Sequence, residues 1–266
     1  MSQVPAATRT LRVLRFLASQ PDPVPLAHIA ERCDLPRSTA YHLLTAMAAE
    51  GFVLHLAEQS RYGLGPAAFE VGSGYARQAP LARLARRPLA DLADRVGADG
   101  LGHGAHLAVL HGREVLYVIE ERAPGQPPMV TEVGVRLPAQ LTASGRAMLA
   151  ALPDAQVRAI FAEPEAYVDR NDRGPRTLTE LRRLLADTRA RGFGVEDGEV
   201  TPGLATAARA VFDHNGQPVA AVAVTFLAAR LLAGVPPVAL TAAAAETAAM
   251  LTRRLGGADR AGAWAS

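Results

Sequence analysis

The sequence has a single cysteine, no lysine, and no hydrophobic run long enough to cross a membrane. One cysteine, Cys33, excludes an internal disulfide and a zinc site built from several cysteines. A membrane-spanning helix needs about 20 consecutive apolar residues, and the chain holds no such run. The N-terminal stretch MSQVPAATRT has no hydrophobic signal segment. We therefore expect a cytoplasmic protein with no membrane partner.

Basic charge is not concentrated enough to indicate nucleic-acid binding by itself. The chain has 28 basic residues, all arginine, against 26 acidic ones, and its formal net charge is +2. Residues 1–65 hold six arginines and five carboxylates, so the net charge there is only +1. Any argument for DNA binding must therefore rest on where the charges lie. Apolar residues make up 49% of the 266 residues, which is enough for one large core or two ordinary ones.

Signatures of common enzymes and metal sites are also missing. The run TASGR at 142–146 lacks the GxSxG spacing of a nucleophile elbow, and no HExxH zinc motif occurs. His103 and His106 are three apart on a predicted strand, so they face opposite sides and make a poor metal pair. Glu120 and Glu121 are adjacent on a strand and diverge. We expect no catalysis, no metal and no cofactor.

The stretch Leu26–Val53 predicts two short amphipathic helices joined by a tight turn. Apolar residues recur at i, i+3, i+4 and i+7 in both: Leu26, Ile29, Ala30 and Cys33, then Ala40, Leu43, Leu44 and Met47. Pro36 suits the first turn of the second helix, where its missing N–H has no partner. Polar and basic residues stand at the N-terminal end of that helix: Arg37, Ser38, Thr39, Tyr41 and His42. A helix-turn-helix places this end in the major groove, so the stretch predicts a DNA-binding module.

Flanking elements complete a winged helix-turn-helix. A first helix over residues 6–19 is predicted to place these residues on one face: Leu11, Leu14, Leu17 and Ala18. After Gly51, the runs FVLHL and SRYGL predict two short strands around AEQ. Arg61 lies beside this wing, where it either reaches a minor groove or phosphate or is an ordinary solvated arginine. Cys33 lies on the apolar stripe of its helix, so we interpret it as a core residue.

The remaining chain predicts a mixed α+β domain. The helical pattern loosens between residues 65 and 77, where we place the domain junction, and LARLARRPLADLADRVGAD then predicts a helix with a kink at Pro88. Two β-hairpins are predicted from HLAVLHG with EVLYVIEE, and from LATAARAVFD with PVAAVAVTF. A short strand is expected near Met129–Val133, and the last helix is VALTAAAAETAAMLTRRL. Strands and helices mixed around antiparallel hairpins indicate the α+β class.

Three further helices are predicted between the two hairpins. One follows the run LTASGR and covers Ala147–Leu152, and the next is capped by Asp154. The third carries the capping-box spacing of Thr177 and Glu180, and Gly192 ends it.

The order of these parts resembles the IclR family of transcriptional regulators over nearly the whole chain. The matching runs are LPRSTAYHLLTAMAAEGFV and RYGLG, then LPAQLTASGRAMLAAL, RGFGVEDGEVTPGLATAA and VFDHNGQPVAAVAV. The resemblance implies an α+β two-domain fold, with an N-terminal winged helix-turn-helix and a C-terminal GAF-like α/β effector-binding domain. It also implies homodimers or dimers of dimers, and effectors that are small organic or aromatic acids. We accordingly divide the chain into a DNA-binding domain (1–65), a linker helix region (66–80), an effector-binding and oligomerisation domain (81–257) and a disordered tail (258–266).

For DNA, the guanidinium of Arg37 can meet guanine O6 and N7. Ser38 and Thr39 would lie in the first helical turn, where hydroxyls and backbone N–H groups can hold a phosphate. Tyr41 and His42 follow on the exposed side, and any of these residues is alternatively an ordinary surface residue. Since one monomer reads only a short half-site, we expect a dimer on a roughly palindromic double-stranded operator.

For the effector, the expected site lies around Ser144 and Gly145, because a helix N-terminus with small residues suits a carboxylate. The alternative is a plain N-cap. Glu196 and Glu199 are expected to accept hydrogen bonds from a ligand hydroxyl or amine, although both are alternatively plain surface carboxylates. Thr206 should line the same cavity. The apolar wall is predicted from three residues: Leu137, Leu141 and Ala143.

Four positions depart from the family pattern. His42 stands where a basic residue is frequent, and Arg146 replaces the lysine of an SGKA run. Thr206 replaces a frequent cysteine, and Glu196 replaces the Asp that members often carry three residues before a Glu, which is Glu199 here. A larger acid and a hydroxyl imply a ligand different from that of the best-known members, and the operator is expected to differ as well.

These inferences predict a DNA-binding transcriptional regulator whose operator binding is controlled by a small carboxylate effector, with repression favoured over activation. One alternative is a regulator whose second domain only dimerises and binds no effector. A more remote alternative is an enzyme.

Overall fold

The structure, a computed structural model, describes residues 4–78, 80–98, 100–126, 129 and 131–258. It separates into two units, residues 1–80 and 81–266. The tail expected at 258–266 lies outside the described residues except for residue 258. No described helix combines the length and the apolar character that crossing a bilayer requires.

The first unit consists of short elements joined by tight turns. In chain order they are α1 (Pro5–Ala18), β1 (Val24–Pro25), α2 (Leu26–Arg32), α3 (Arg37–Ala49), β2 (Val53–Leu56), β3 (Arg61–Leu64) and α4 (Pro66–Gln78). Strands β2 and β3 form the predicted antiparallel hairpin around a 3-10 turn, Ala57–Gln59. Strand β1 was not predicted, and it pairs with the other side of β3. The wing is therefore part of a three-stranded sheet.

The apolar stripes of the two central helices are confirmed. Residues Ile29, Ala30 and Cys33 are buried, as are the α3 residues at 40, 44 and 47. Helix α3 begins at Arg37, so Pro36 lies at the N-cap position and not in the first turn.

The predicted buried face of α1 is only half correct: Leu17 is buried and Leu14 packs against the core of this unit, but the other two residues are exposed. Leu11 is 56% exposed and Ala18 is also exposed, whereas Val13 and Leu17 are buried. The helix has apolar residues on more of its surface than α2 and β3 cover, so periodicity alone does not identify the buried stripe.

From Pro80 onward the chain alternates between helices and strands. The elements are α5 (Pro80–Ala98), β4 (Gly104–His111), β5 (Glu114–Arg122), β6 (Arg136–Pro138), α6 (Ala143–Ala150), α7 (Asp154–Ile160), α8 (Leu178–Arg191), β7 (Gly194–Asp197), β8 (Leu204–Phe212), β9 (Pro218–Leu227) and α9 (Val238–Arg254). The six strands form one antiparallel sheet in the order β6-β5-β4-β9-β8-β7. Helix α6 packs on β7, β8 and β9. The predicted α+β class and both predicted hairpins are confirmed.

Two predictions in this unit are wrong: the position of the short strand and the first residue of the helix that follows it. No strand covers the described residues of Met129–Val133; the short strand is β6, which pairs with β5. The helix predicted at Ala147 begins at Ala143, since Thr142 Oγ1 accepts a hydrogen bond from the Gly145 N–H at 3.0 Å. Ser144 and Gly145 therefore lie in the first turn of α6.

The helix ends were predicted with mixed success. Asp154 makes no cap hydrogen bond; it pairs with Arg189 Nη2 at 3.0 Å. The cap of α8 is confirmed, because Thr177 Oγ1 accepts from the Glu180 N–H at 3.2 Å. The same helix ends at Gly192, which has a φ of +79°. Glycine takes this left-handed conformation at low cost, which explains the stop.

Candidate functional site

The outer face of α3 carries the residues predicted to contact DNA. Arg37, Ser38 and His42 are exposed, Tyr41 is 52% exposed and Thr39 is half-buried. Among the described residues, no side chain caps the start of α3. The first turn of a helix has backbone N–H groups without intrahelical partners. This end of α3 therefore presents backbone donors and one guanidinium outward.

Two further positions complete the description of this surface. Thr45 lies one turn after Tyr41, is exposed, and donates its hydroxyl to the Tyr41 carbonyl at 2.9 Å. The i+4 spacing from Tyr41 places Thr45 on the same face, although it is not among the residues predicted to contact DNA. Arg61 lies on β3, and its Nη1 donates to the Pro23 carbonyl at 2.9 Å. That bond ties the wing to the turn before α2, a contact that sequence reasoning did not predict.

A buried polar cluster lies in the second unit where α6 crosses the sheet. Glu196 of β7, Thr206 of β8 and Thr225 of β9 are direct cross-strand neighbours, so their side chains share one face. Thr206 donates its hydroxyl to Glu196 Oε1 at 2.9 Å and lies 3.1 Å from Thr225 Oγ1. His106 of β4 lies diagonally across from Thr225, because it pairs directly with Ala223. Its Nε2 is 2.8 Å from Thr225 Oγ1, and Thr131 Oγ1 is 3.2 Å from its Nδ1.

The first turn of α6 faces this cluster. Ser144 is buried, and its hydroxyl oxygen has no hydrogen-bond partner within the part of the chain that the structure describes. Burial raises the pKa of the Tyr117 phenol, the nearby Glu196 carboxylate raises it further, and the Ser144 hydroxyl opposes both. Tyr117, Ser144 and Glu196 are therefore close enough to affect one another's electrostatics.

Burial changes the protonation of two groups in the cluster. It raises the pKa of Glu196 to about 7; the Glu199 charge adds to this effect, and the Thr206 hydroxyl and the Val200 N–H oppose it. It also lowers the pKa of His106 to about 4, so this imidazole is neutral near pH 7. The cluster therefore combines a neutral imidazole with a carboxyl group that titrates near neutrality.

The second predicted acid, Glu199, belongs to a different contact. Its Oε1 accepts from Arg146 Nη2 at 2.7 Å, and its Oε2 accepts from the Asp197 N–H. The Arg146 side chain is 3% exposed, and its Nε also donates to the Gln140 carbonyl at 2.9 Å. Arg146 and Glu199 line a groove of about 600 Å³ beside α8. Glu196 faces the cluster, whereas Glu199 faces this groove.

The structure brings together only part of the predicted effector set. Ser144, Glu196 and Thr206 converge, whereas Leu137 and Ala143 pack in the hydrophobic core. A Cβ on Gly145 would lie 2.1 Å from the Ala139 carbonyl oxygen, so this glycine allows a close approach of the backbone. Leu141 packs closely against Gly174: a Cβ on Gly174 would lie 2.3 Å from Leu141 Cδ2.

Four residues of the cluster were missed by sequence reasoning: Tyr117, Thr225, His106 and Thr131. Alternation along β5 and β9 places Tyr117 and Thr225 on buried faces, but only the strand register shows that these faces coincide. His106 was considered solely as half of a metal pair. Its neighbour His103 precedes β4 and is half-buried, and the described residues contain no group of side chains that would hold a metal.

Two family models match the chain. The IclR helix-turn-helix domain covers residues 6–56, and the bacterial transcriptional regulator IclR C-terminal model covers residues 73–253. The glycerol operon regulatory protein of Streptomyces griseus is 33% identical over 252 residues, which are 93% of this chain and 95% of that protein. The transcriptional repressor IclR of Escherichia coli K12 is 30% identical over 227 residues, 84% of this chain and 80% of that one.

Solved structures share the fold. An IclR homolog from Microbacterium hydrocarbonoxydans, determined in complex with 4-hydroxybenzoate, matches with a TM-score of 0.76 at 21% identity. The match covers 94% of this chain and 98% of that one. The two-unit α+β architecture is thus common to both chains.

Proposed function

The chain belongs to the IclR family of bacterial transcriptional regulators, and we propose that it is a repressor whose operator binding is controlled by a small organic acid. It is a DNA-binding regulator and not an enzyme. The observation that carries the effector half of the proposal is the buried Ser144 hydroxyl at the start of α6, which lies near Tyr117 and whose oxygen makes none of the hydrogen bonds found among the described residues. Repression is favoured because the Escherichia coli relative is a repressor by name.

Operator recognition is assigned to the outer face of α3. Arg37 contacts a guanine edge or a phosphate, while Ser38 and Thr39 hold a phosphate with the N–H groups of the first turn. Tyr41 and His42 lie one turn further along the exposed surface. One α3 reads only a short half-site, so the active species is a homodimer, alone or as a dimer of dimers, on a roughly palindromic operator.

Effector recognition is assigned to the polar cluster beneath α6. Buried hydroxyls almost always have hydrogen-bond partners, and an unpartnered one costs free energy. A ligand carboxylate would accept from Ser144 and Tyr117 and would lie at the positive end of the α6 dipole. The Glu196–Thr206 pair would meet the other end of the ligand. The 4-hydroxybenzoate complex of the Microbacterium protein is compatible with an aromatic acid here, although its 21% identity supports the fold alone.

The effector half is tested by melting the full-length protein with a panel of acids: propionate, lactate, pyruvate, succinate, benzoate and 4-hydroxybenzoate. A ligand present at 100 times its Kd stabilises the folded state by about 2.7 kcal/mol. We expect at least one acid to raise the melting temperature of the wild type and to do so less in Ser144→Ala. Thr241→Ala is the matched control, because that threonine donates only within α9.

The operator half is tested with duplexes selected from a random pool by the full-length protein. Gel-shift titration of a selected duplex should show weaker binding when the stabilising acid is present. If no acid changes either the melting temperature or the operator affinity, the second unit serves only oligomerisation and the effector proposal fails.

A further inference from the structure

Five side chains of the polar cluster form one unbroken hydrogen-bond chain across the sheet. It runs Thr131–His106–Thr225–Thr206–Glu196, with successive distances of 3.2, 2.8, 3.1 and 2.9 Å. At its far end, Glu196 Oε2 accepts from the backbone N–H groups of Glu199 and Val200 at 3.1 and 3.3 Å. Every strand from β4 to β7, by way of β9 and β8, contributes one residue.

The number of protons in this chain fixes the role of each hydroxyl. A threonine has one O–H proton, and a neutral histidine has one N–H and one acceptor nitrogen. When Glu196 is ionised, Thr206 donates to it, Thr225 donates to Thr206, and His106 donates through Nε2 to Thr225. When Glu196 is protonated, all of these donations run the other way, and Thr225 donates to His106 Nε2.

Both directions have the same consequence for a ligand. The proton of Thr206 and the proton of Thr225 are used inside the chain, so each oxygen has only a lone pair left. Ser144 and Tyr117 are outside the chain, and the Ser144 hydroxyl lies close enough to the Tyr117 phenol to lower its pKa. When one of these hydroxyls donates to the other, one proton is still left for a carboxylate. The cluster therefore has at least one hydrogen-bond donor at its α6 end and acceptors along its sheet side.

We propose that His106 is a positioning residue that makes this site select hydroxy acids. When Glu196 is protonated, His106 Nε2 accepts the Thr225 proton and keeps it away from the ligand, so the sheet side accepts a hydrogen from a ligand hydroxyl. When Glu196 is ionised, Thr206 takes the Thr225 proton instead. A keto or ether oxygen of the ligand in the same position faces only the lone pairs of the threonine oxygens and gains no hydrogen bond. An acid with no oxygen in that position leaves those lone pairs without a hydrogen-bond donor. This inference rests on the proposed function, because it assumes that the cluster binds an acid.

Calorimetric titration of the full-length protein at about pH 6, below the Glu196 pKa of about 7, with two matched sets of acids tests the selection. The sets are lactate, pyruvate and propionate, and 4-hydroxybenzoate, 4-methoxybenzoate and benzoate. The wild type should bind the hydroxy member of at least one set about three- to tenfold more tightly than the other two, the range that one hydrogen bond supplies. In His106→Leu this ratio should fall towards one, and His106→Gln, which still donates and accepts, should restore part of it.

The affinity ratio between the hydroxy acid and the other two acids of its set distinguishes a loss of specificity from a general loss of folding. A purely structural role for His106 would weaken all three acids of a set by the same factor, and that result overturns the inference. Thr247→Val is the matched control, since this buried threonine donates only to the Ala243 carbonyl of its own helix and should leave the ratio unchanged. Binding without a hydroxyl preference overturns the inference alone, whereas no binding of any acid also overturns the proposed function.

A ligand-free measurement tests the chain even if the His106 variants fail to fold. In Glu196→Gln the amide oxygen stays with the N–H groups of Glu199 and Val200, so the amide nitrogen donates to Thr206. The chain must then run in reverse, and the His106 proton must move from Nε2 to Nδ1. Nitrogen NMR of the imidazole at about pH 8.5, above the Glu196 pKa of about 7, should show opposite tautomers in wild type and variant. The same tautomer in both overturns the inference.

Discussion

The two units present their candidate recognition residues in opposite ways. The outer face of α3 holds exposed side chains with few contacts, whereas the cluster beneath α6 holds buried side chains bonded to one another. A surface that meets DNA must stay solvated until the duplex displaces water, and a site for a small acid must exclude water to recognise few atoms. Substitutions on α3 should therefore change binding without changing stability, and substitutions near α6 should change both.

The largest expected loss of stability comes from breaking the buried Arg146–Glu199 ion pair in the second unit. The Arg146 side chain is 3% exposed and the Glu199 side chain 11%, and the two lie 2.7 Å apart. Arg146→Met therefore leaves the Glu199 carboxylate buried without its ion-pair partner. Breaking a buried pair on one side costs about 3–5 kcal/mol, so urea denaturation of the full-length protein should show a loss of that size.

The matched control is Arg87→Met, which removes an exposed pair with Asp91. Exposed pairs contribute about 0–1 kcal/mol. Equal losses for the two variants would show that the Arg146 pair behaves as a surface contact.

The second-largest expected effect is a pH dependence of stability that comes from Glu196 in the second unit. Glu196 has a folded-state pKa of about 7 against a reference value of 4.5. Between these values the folded state binds more protons than the unfolded state, so stability falls as pH rises through this window. Glu196→Gln removes this dependence, and its stability relative to wild type should rise between pH 5 and 8 by an amount on the order of 3 kcal/mol.

The measurement is a series of urea denaturation curves across that pH range. Glu180→Gln is the control, because this glutamate is exposed at the start of α8. A parallel pH profile for wild type and Glu196→Gln would contradict the raised pKa.

The first unit should show the reverse behaviour. Arg37→Ala is expected to weaken operator binding by about 1–3 kcal/mol if the guanidinium meets a guanine edge, as gel-shift titration would measure. Its melting temperature and its affinity for acids should stay at the wild-type values, since Arg37 is exposed. Arg15→Ala, an exposed arginine of α1, is the control, and unchanged operator affinity in Arg37→Ala would remove Arg37 from the interface.

Sequence reasoning succeeded mainly where a structure depends on neighbours along the chain, although it missed the local Thr142 cap that starts α6. The buried stripes of α2 and α3 follow from helical periodicity, and the Thr177 cap follows from a four-residue motif. It failed where the partner is distant in sequence. His106 and Thr225 are 119 residues apart, and their contact depends on the β4–β9 register, which periodicity does not specify. The exposed face was therefore predictable, and half of the buried cluster was not.

The smallest expected change in stability occurs at the residue that carries the effector proposal. Ser144→Ala removes a buried hydroxyl that has no partner among the described residues, so it deletes an unsatisfied polar group and creates almost no cavity. The free energy of unfolding of the ligand-free protein should stay the same or rise by up to about 1 kcal/mol. Thr142→Ala supplies the contrast, because its hydroxyl caps α6 and its loss should cost about 1 kcal/mol. If Ser144→Ala instead destabilises the ligand-free protein as much as Thr142→Ala does, the serine hydroxyl already has a partner in the folded chain. No unsatisfied serine hydroxyl would then remain for a ligand carboxylate to bind.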